Sequence, residues 1–150
     1  MALLVGIDLG TQSTKAVVCD ERLAVLGAGR VAYAPSFPRP GWAEQDPRLW
    51  LDALAPAIED ALAAAGRAPA DVAALAVTGQ LDGMIAVDGD GAALGPCLPW
   101  LDRRATAELP DLDPDRFLAI TGQMADASHL AAKARWWDRT HRVIRAAAFH

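Results

Sequence analysis

Residues Asp8 to Lys15, DLGTQSTK, place an acid, a glycine and several small polar side chains at the end of an apolar run. Backbone N–H groups in a tight turn that contains glycine can converge on an anion, and small side chains let a phosphate approach closely. The hydroxyls of Thr11, Ser13 and Thr14 can add donors. Asp8 cannot bind phosphate directly, but its carboxylate can hold a Mg²⁺ that bridges phosphate oxygens. The stretch suits phosphate binding, with an ordinary polar hairpin turn as the alternative.

A second polar motif, TGQLDG at Thr78 to Gly83, follows a run that reads as a buried strand. In open α/β sheets the carboxyl ends of strands are where ligands bind. Gln80 and Asp82 offer the donors and acceptors that hold a polyol. The alternative is a simple turn bounded by glycines.

A third motif, PWLDRR at Pro99 to Arg104, combines an indole, a carboxylate and two guanidinium groups. The indole of Trp100 can stack on the apolar face of a sugar, and Asp102 can accept from its hydroxyls. The alternative is a helix entry, with Asp102 near the positive end of the helix dipole and both arginines in solvent. The segment GWAEQDP, which precedes a helix, reads as a loop anchored by Trp42.

Three strands, Leu3–Leu9, Lys15–Cys19 and Ala24–Tyr33, are predicted to position the first motif. Their connections, GTQST and DER, are too short for helical crossovers, so the strands form an antiparallel meander. A later buried strand, Val72–Val77, comes one helix after the meander and is expected to join the same sheet in parallel.

The helices are predicted from their start signals. Asp46-Pro47 begins a helix that stops at Gly66 and that Pro56 should bend or divide. DGDG predicts a hairpin, and the chain from Arg103 onward is expected to be mostly helical. There Asp113-Pro114 starts one helix, and Ser128 caps a last one that reads LAAKARWWDRTHRVI. Ala146 to Phe149 look like the beginning of another buried element, which indicates a longer protein.

Composition limits the class of protein. With 150 residues, 53% hydrophobic and 22% charged, the chain should form a globular domain. A net charge of −5 argues against sequence-independent nucleic-acid binding. No apolar run approaches the ~20 residues of a membrane span, and the N-terminus lacks the basic region of a signal peptide. Cys19 and Cys97 are expected to be reduced thiols, so a cytoplasmic protein without a membrane partner is predicted.

Five segments, in this order, resemble the N-terminal part of the FGGY family of carbohydrate kinases, and its xylulokinase-like branch in particular. They are GIDLGTQSTKAVV, PRPGWAEQDPRLW, AVTGQLDGMIAVDGDG, GPCLPWLDRRA and FLAITGQ. The resemblance implies an α/β fold of the ribonuclease-H-like type, shared with actin and Hsp70-class ATPases. It also implies ATP and Mg²⁺ as cofactors, bound between two such domains, and a sugar or polyol as the substrate.

The resemblance also implies roles for individual residues. The loop that meets the ATP phosphates would contain Asp8, Gly10, Thr11, Gln12, Ser13 and Lys15, with Asp8 facing Mg²⁺. The sugar site would contain Gln80, Leu81, Asp82, Trp100, Asp102 and Arg103. The general-base aspartate and the adenosine-binding domain are expected beyond residue 150. The chain is therefore predicted to be an incomplete domain, inactive alone, whose partner is the rest of the kinase.

One turn departs from the xylulokinase-like pattern, which carries Gln-Met-His-Gly where this chain has QLDG at Gln80 to Gly83, so that Asp82 replaces a histidine. A carboxylate only accepts hydrogen bonds, so the preferred hydroxyl pattern should change. Another ketose or a sugar alcohol is as good a candidate as D-xylulose. A non-catalytic sugar-binding or assembly module is the main alternative, and a homodimer is left open. An actin- or Hsp70-like ATPase fragment is disfavoured by the sugar-side motifs.

Overall fold

Strand pairing in the computed structural model, which describes residues 2–141, follows the predicted meander. The strands are β1 (Leu3–Leu9), β2 (Ser13–Cys19), β3 (Val25–Ala32) and β4 (Val72–Gly79). They form one sheet in the order β3-β2-β1-β4. β2 is antiparallel to both β1 and β3, whereas β4 is parallel to β1. The predicted three-stranded meander with a parallel fourth strand is confirmed.

The described residues divide into two compact units. The first unit contains the sheet and comprises residues up to Pro35 together with Asp46–Gln80. The second unit comprises Ser36–Gln45 and the residues from Leu81 onward. The predicted end of the last helix after residue 141 and the predicted buried element at 146–149 lie outside the described residues.

Helix α1 (Arg48–Ala65) covers one face of the sheet in the first unit. Alternate residues of a strand point to the same face, and the helix packs on β3 and β2. The helix starts where the Asp46 carboxylate accepts from the Arg48 N–H at 2.9 Å, and it ends at Gly66 in the left-handed conformation. Pro56 lies inside a single helix and does not divide it. The buried core contains Leu3, Val5, Ile7, Ala16, Val18, Ala57, Ala61 and Leu62.

Two glycines of β3 let α1 rest directly on the strand. A Cβ at Gly29 would lie 2.1 Å from the carbonyl oxygen of Ala57, and one at Gly27 would lie 2.4 Å from that of Ala61. Real Cβ atoms do not approach this closely, and the atoms they would meet belong to the helix backbone. The close approach therefore requires glycine at both positions.

Gly29→Ala should destabilise the first unit. The helix backbone would have to move away from β3, and overpacking of this kind costs about 1–3 kcal/mol or more. Denaturant unfolding followed by circular dichroism measures the loss. Gly89→Ala is the matched control, because a Cβ there meets nothing within 4 Å. Equal stability of the two variants would contradict the packing described for α1.

The second unit consists of helices and short bridges. A 3₁₀ helix (Arg104–Asp111) is followed by α2 (Pro114–Thr121) and α3 (Leu130–His141). The expected helical region thus begins as 3₁₀, and Pro110 inside it cannot supply the N–H that an α-helix needs. Asp113 caps α2 as predicted, accepting from two backbone N–H groups.

The predicted DGDG hairpin is present as a bridge between Val87 and Ala93, and the Leu94 N–H donates to the carbonyl of Ala86 at 2.8 Å. Further antiparallel bridges join Gln45 to Cys97 and Met84 to Leu98. None of the helices within residues 2–141 has the length and apolar character needed to cross a membrane.

Candidate functional site

The β1–β2 hairpin carries an exposed carboxylate beside an ammonium group. Asp8 is the register partner of Lys15 on β2 and of Thr78 on β4. The Lys15 Nζ lies 3.9 Å from Asp8 Oδ2, and about half of each side chain is exposed. The acid that looked out of place in an apolar strand therefore lies at the surface, where an ion can reach it.

Hydrogen bonds within the first unit hold the hairpin loop in shape. The Gly10 N–H donates to the carbonyl of Ser13 at 3.0 Å. The Tyr33 hydroxyl donates to the carbonyl of Gly10 at 2.8 Å and lies 3.1 Å from the Thr14 hydroxyl. Burial raises the pKa of Tyr33, which keeps the phenol protonated as a donor. Tyr33 was not predicted as part of the site, although its place at the end of β3, level with the loop, was a usable signal.

The loop residues differ in accessibility. Gln12 is exposed and Thr11 is partly exposed, whereas Ser13 is buried at 4% exposure. Thr11 Oγ1 donates to Gln80 Oε1 at 3.0 Å, and the Gln80 N–H donates to the carbonyl of Leu9 at 3.0 Å. Gln80, predicted on the sugar side, therefore lies directly beside the predicted phosphate loop. Both stand at the carboxyl ends of parallel strands, the usual place for ligands in such sheets.

Asp82, in the second unit, has an unusual backbone conformation. Its φ of 54° lies in the left-handed region, which aspartate tolerates better than most residues. Asp82 Oδ2 lies 3.1 Å from His129 Nδ1, and the Asp82 carbonyl accepts from the Lys133 ammonium. Leu81, also predicted on the sugar side, is 80% exposed. The turn at Asp82 is therefore held by Lys133 of α3 and by His129, the residue that directly precedes α3.

Lys133 connects two of the predicted sugar-side motifs. Its side chain is fully buried, and Nζ donates to the carbonyls of Asp82 and of Pro99, the latter at 2.9 Å. Burial lowers the pKa of Lys133, whereas the carboxylate of Asp102 acts in the opposite direction. Sequence reasoning missed this lysine. The signal was a single charge among apolar residues in LAAKARWW, four residues after His129 and hence on the same helix face.

Asp102 lies in the interior of the second unit and forms an ion pair with Arg104. Its Oδ2 accepts from the Ala43 N–H at 2.7 Å and from Arg104 Nε at 2.8 Å, and its Oδ1 accepts from the Arg104 N–H. The Arg104 guanidinium stacks 3.8 Å from the ring centre of Trp42 and bonds Glu44 at 2.9 Å. Only 3% of the Arg104 side chain is exposed, so the alternative with both arginines in solvent does not hold. Trp42 anchors its loop, as predicted.

The remaining sugar-side residues lie nearer the surface. The Trp100 side chain is half exposed. Arg103 forms a forked ion pair with Asp126, in which Nη2 and Oδ2 are 2.9 Å apart. Asp126 also accepts from the Ser128 hydroxyl at 2.6 Å. The guanidinium of Arg103 is therefore held by a protein carboxylate, while about half of its side chain remains exposed.

Asp126 should make stability depend on pH in acid. Hydrogen bonds from the Ser128 hydroxyl and N–H, and then the Arg103 guanidinium, lower the pKa of Asp126 to about 2. An unfolded aspartate titrates near ~3.9, so the stabilisation is complete above about pH 4 and is lost as pH falls towards about 2. Asp126→Asn should be less stable than wild type at pH 6, and the difference should shrink across that window. Ser128→Ala should make stability depend less strongly on pH over the same range. A difference in stability between wild type and Asp126→Asn that stays constant down to pH 2 would contradict the role of Asp126.

The predicted residues fall into the two units. Asp8, the loop from Gly10 to Ser13, Lys15 and Gln80 come together in the first unit. Leu81, Asp82, Trp100, Asp102 and Arg103 belong to the second unit. Within residues 2–141 no group of three or more His, Cys, Asp or Glu side chains could hold a metal. A lone exposed carboxylate nevertheless fits Mg²⁺, which keeps several waters and takes its other ligands from substrate phosphates.

The architecture and the sequence together define the class of protein. The mixed sheet, with its antiparallel meander, parallel fourth strand and covering helix, is part of the ribonuclease-H-like fold of actin- and Hsp70-type ATPases. Residues 3–149 match the model of the N-terminal domain of the FGGY family of carbohydrate kinases. The chain belongs to that family, as the five sequence segments predicted.

Individual relatives agree with this assignment. The chain is 37% identical over 136 residues to a glycerol kinase of Methylorubrum extorquens, covering 87% of the chain and 27% of the relative. It is 32% identical over 136 residues to a glycerol kinase of Thermococcus gammatolerans, covering 89% of the chain and 28% of the relative.

Two solved structures resemble the fold closely. A "xyloylose kinase" from Brucella ovis has a TM-score of 0.88 and 35% identity, over 93% of this chain and 30% of that one. A xylulose kinase from Rhodospirillum rubrum has a TM-score of 0.83 and 32% identity, with the same coverage. The chain thus spans less than a third of the length of each relative.

Proposed function

We propose that this chain supplies the N-terminal part of an ATP-dependent kinase that transfers the γ-phosphoryl group to a hydroxyl of a ketose or sugar alcohol. Family membership supports the reaction type. The observation that carries the proposal is the hydrogen bond from Thr11 to Gln80. It joins the loop suited to phosphate to the first polar residue of the motif suited to a polyol.

The phosphate side of the proposed site is the β1–β2 hairpin. Asp8 would hold Mg²⁺ through its exposed carboxylate, and the ion would neutralise charge on the phosphates of ATP. Thr11 and Gln12 are the accessible polar residues of the loop, and Lys15 adds a positive charge beside Asp8. Buried Ser13 supports the loop from within. Because Tyr33 already holds the turn, little ordering is needed when the nucleotide binds.

The residues proposed for the acceptor are Gln80 of the first unit and, in the second unit, Leu81, Asp82, Trp100 and Arg103. Exposed Trp100 can stack on the C–H face of the acceptor, and Asp82 can accept from its hydroxyls. We assign Asp102 a positioning role, because it is buried and its oxygens are bound by Arg104 and Ala43. The relatives named as glycerol and xylulose kinases support a polyol or ketose acceptor without choosing between them.

No aspartate of this chain is assigned as the general base, so that group would come from outside the chain. We also propose a cytoplasmic location, where ATP is available and where free thiols such as Cys19 and Cys97 remain reduced.

Phosphoryl transfer by the complete gene product tests the proposal. ADP release is measured with ATP and Mg²⁺ against glycerol, xylitol, D-xylulose and D-ribulose, and the 150-residue chain is assayed in parallel. We expect turnover with at least one acceptor by the complete product and none by the chain alone. No turnover with any acceptor would refute the kinase proposal. Turnover by the 150-residue chain would refute the placement of the base, and tight sugar binding by it without turnover would favour a binding module.

A further inference from the structure

We propose that His129 determines acceptor specificity by acting as a pair with Asp82, an inference that rests on the proposed kinase function. The two side chains are 47 residues apart in sequence, one in a turn and the other directly before α3. His129 Nδ1 lies 3.1 Å from Asp82 Oδ2. Asp82 stands where the xylulokinase-like Gln-Met-His-Gly pattern has histidine.

The backbone of this turn fixes the direction of the Asp82 carboxylate. Asp82 has a φ of 54°, and its carbonyl accepts from the buried Lys133 ammonium. Lys133 of α3 and His129, the residue that directly precedes α3, therefore hold the backbone carbonyl and the side chain of Asp82, respectively. The carboxylate is therefore preorganised before an acceptor arrives.

The His129–Asp82 pair is more exposed than the Asp102–Arg104 ion pair of the same unit. The side chains of His129 and Asp82 are 21% and 32% exposed, whereas that of Asp102 is 0% exposed. Lys133 already attaches the turn to α3, so the fold does not need His129 for that purpose. A partly exposed pair next to exposed Leu81 is available to a ligand.

The chemistry of the pair differs from that of a single imidazole. Asp82 can only accept, so it selects a hydroxyl that donates. Because Nδ1 of His129 faces the carboxylate, Nε2 is the ring atom through which the histidine can bind a second hydroxyl. Together the two groups suit an acceptor with two neighbouring hydroxyls.

Steady-state kinetics of the complete gene product on the same acceptor panel tests this role. His129→Phe keeps a ring but removes both nitrogens, and we expect it to raise the KM of the preferred acceptor about 10-fold or more. The KM of ATP should stay within about twofold, and the order of preference among acceptors should change. His129→Asn keeps a donor towards Asp82 but loses Nε2, so it should recover only part of the loss. The double variant with Asp82→Asn should lose less than the product of the single losses.

His141→Phe is the matched control, since it makes the same change of residue type at the other end of α3, where the ring stacks on Trp137. Its acceptor kinetics should equal those of wild type. If the wild type is active and His129→Phe has the same acceptor preference, the role of His129 is refuted, whereas the kinase function stands. A His129→Phe variant that lowers the melting temperature and raises the KM values of ATP and acceptor alike would also overturn the role of His129 in specificity, in favour of a structural role. Absence of turnover in wild type with every acceptor would refute the kinase function itself, and this role with it.

Discussion

Asp102→Ala should lower the free energy of unfolding by about 3–5 kcal/mol, because it leaves a buried guanidinium without its counter-ion. Asp102 is fully buried and accepts hydrogen bonds from Arg104 and from the Ala43 backbone. The ion pair with Glu44 would remain, but that carboxylate is partly exposed and therefore compensates the buried charge of Arg104 less well. Chemical denaturation at pH 7, followed by tryptophan fluorescence, measures the change, since Trp42 stacks on Arg104.

The neighbouring arginine provides the matched control. Arg103→Ala removes the exposed ion pair with Asp126 and should cost less than about 1 kcal/mol. Asp102→Leu combined with Arg104→Met replaces both charges by apolar groups and should be more stable than Asp102→Ala. Equal stability of Asp102→Ala and Arg103→Ala would contradict a stabilising role for the buried Asp102–Arg104 ion pair.

Asp8→Asn should reduce kcat for phosphoryl transfer by the complete gene product at least about 100-fold, because an amide cannot replace the charge that holds Mg²⁺. The substitution keeps the shape of the side chain at a half-exposed position on β1, so the fold should remain. The Mg²⁺ concentration that gives half-maximal rate should rise as well. ADP release measured across a Mg²⁺ titration reports both quantities.

The control for this charge change is Asp90→Asn, which lies in the exposed DGDG turn of the second unit. It removes the same charge and should leave kcat and the Mg²⁺ dependence as in wild type. Retention of wild-type kcat and Mg²⁺ dependence in Asp8→Asn would show that Asp8 does not take part in metal binding, and it would move the proposed metal site elsewhere.

The sequence by itself determined the elements and the family. Short polar breaks between apolar runs led to the meander, and Asp113-Pro114 marked the start of α2. These signals are local, since strand alternation and helix capping depend on residues within a few positions of one another. The five motifs in order were enough to assign the chain to the FGGY family, and they identified Asp8 and Gln80 as candidate residues.

Only the tertiary structure decided which polar groups are buried and which are accessible. Asp102 and Asp82 look alike in sequence, as acids in short turns, but one lies in the interior with Arg104 and the other is partly exposed beside His129. Each carboxylate has a partner that is distant in sequence, since Asp102 accepts from the Ala43 N–H across 59 residues and Asp82 lies beside His129 across 47 residues. Periodic patterns report the neighbours of a residue on its own element. Contacts between elements depend on how the chain returns in space, so burial, pairing and the Asp82–His129 arrangement became visible only in the folded molecule.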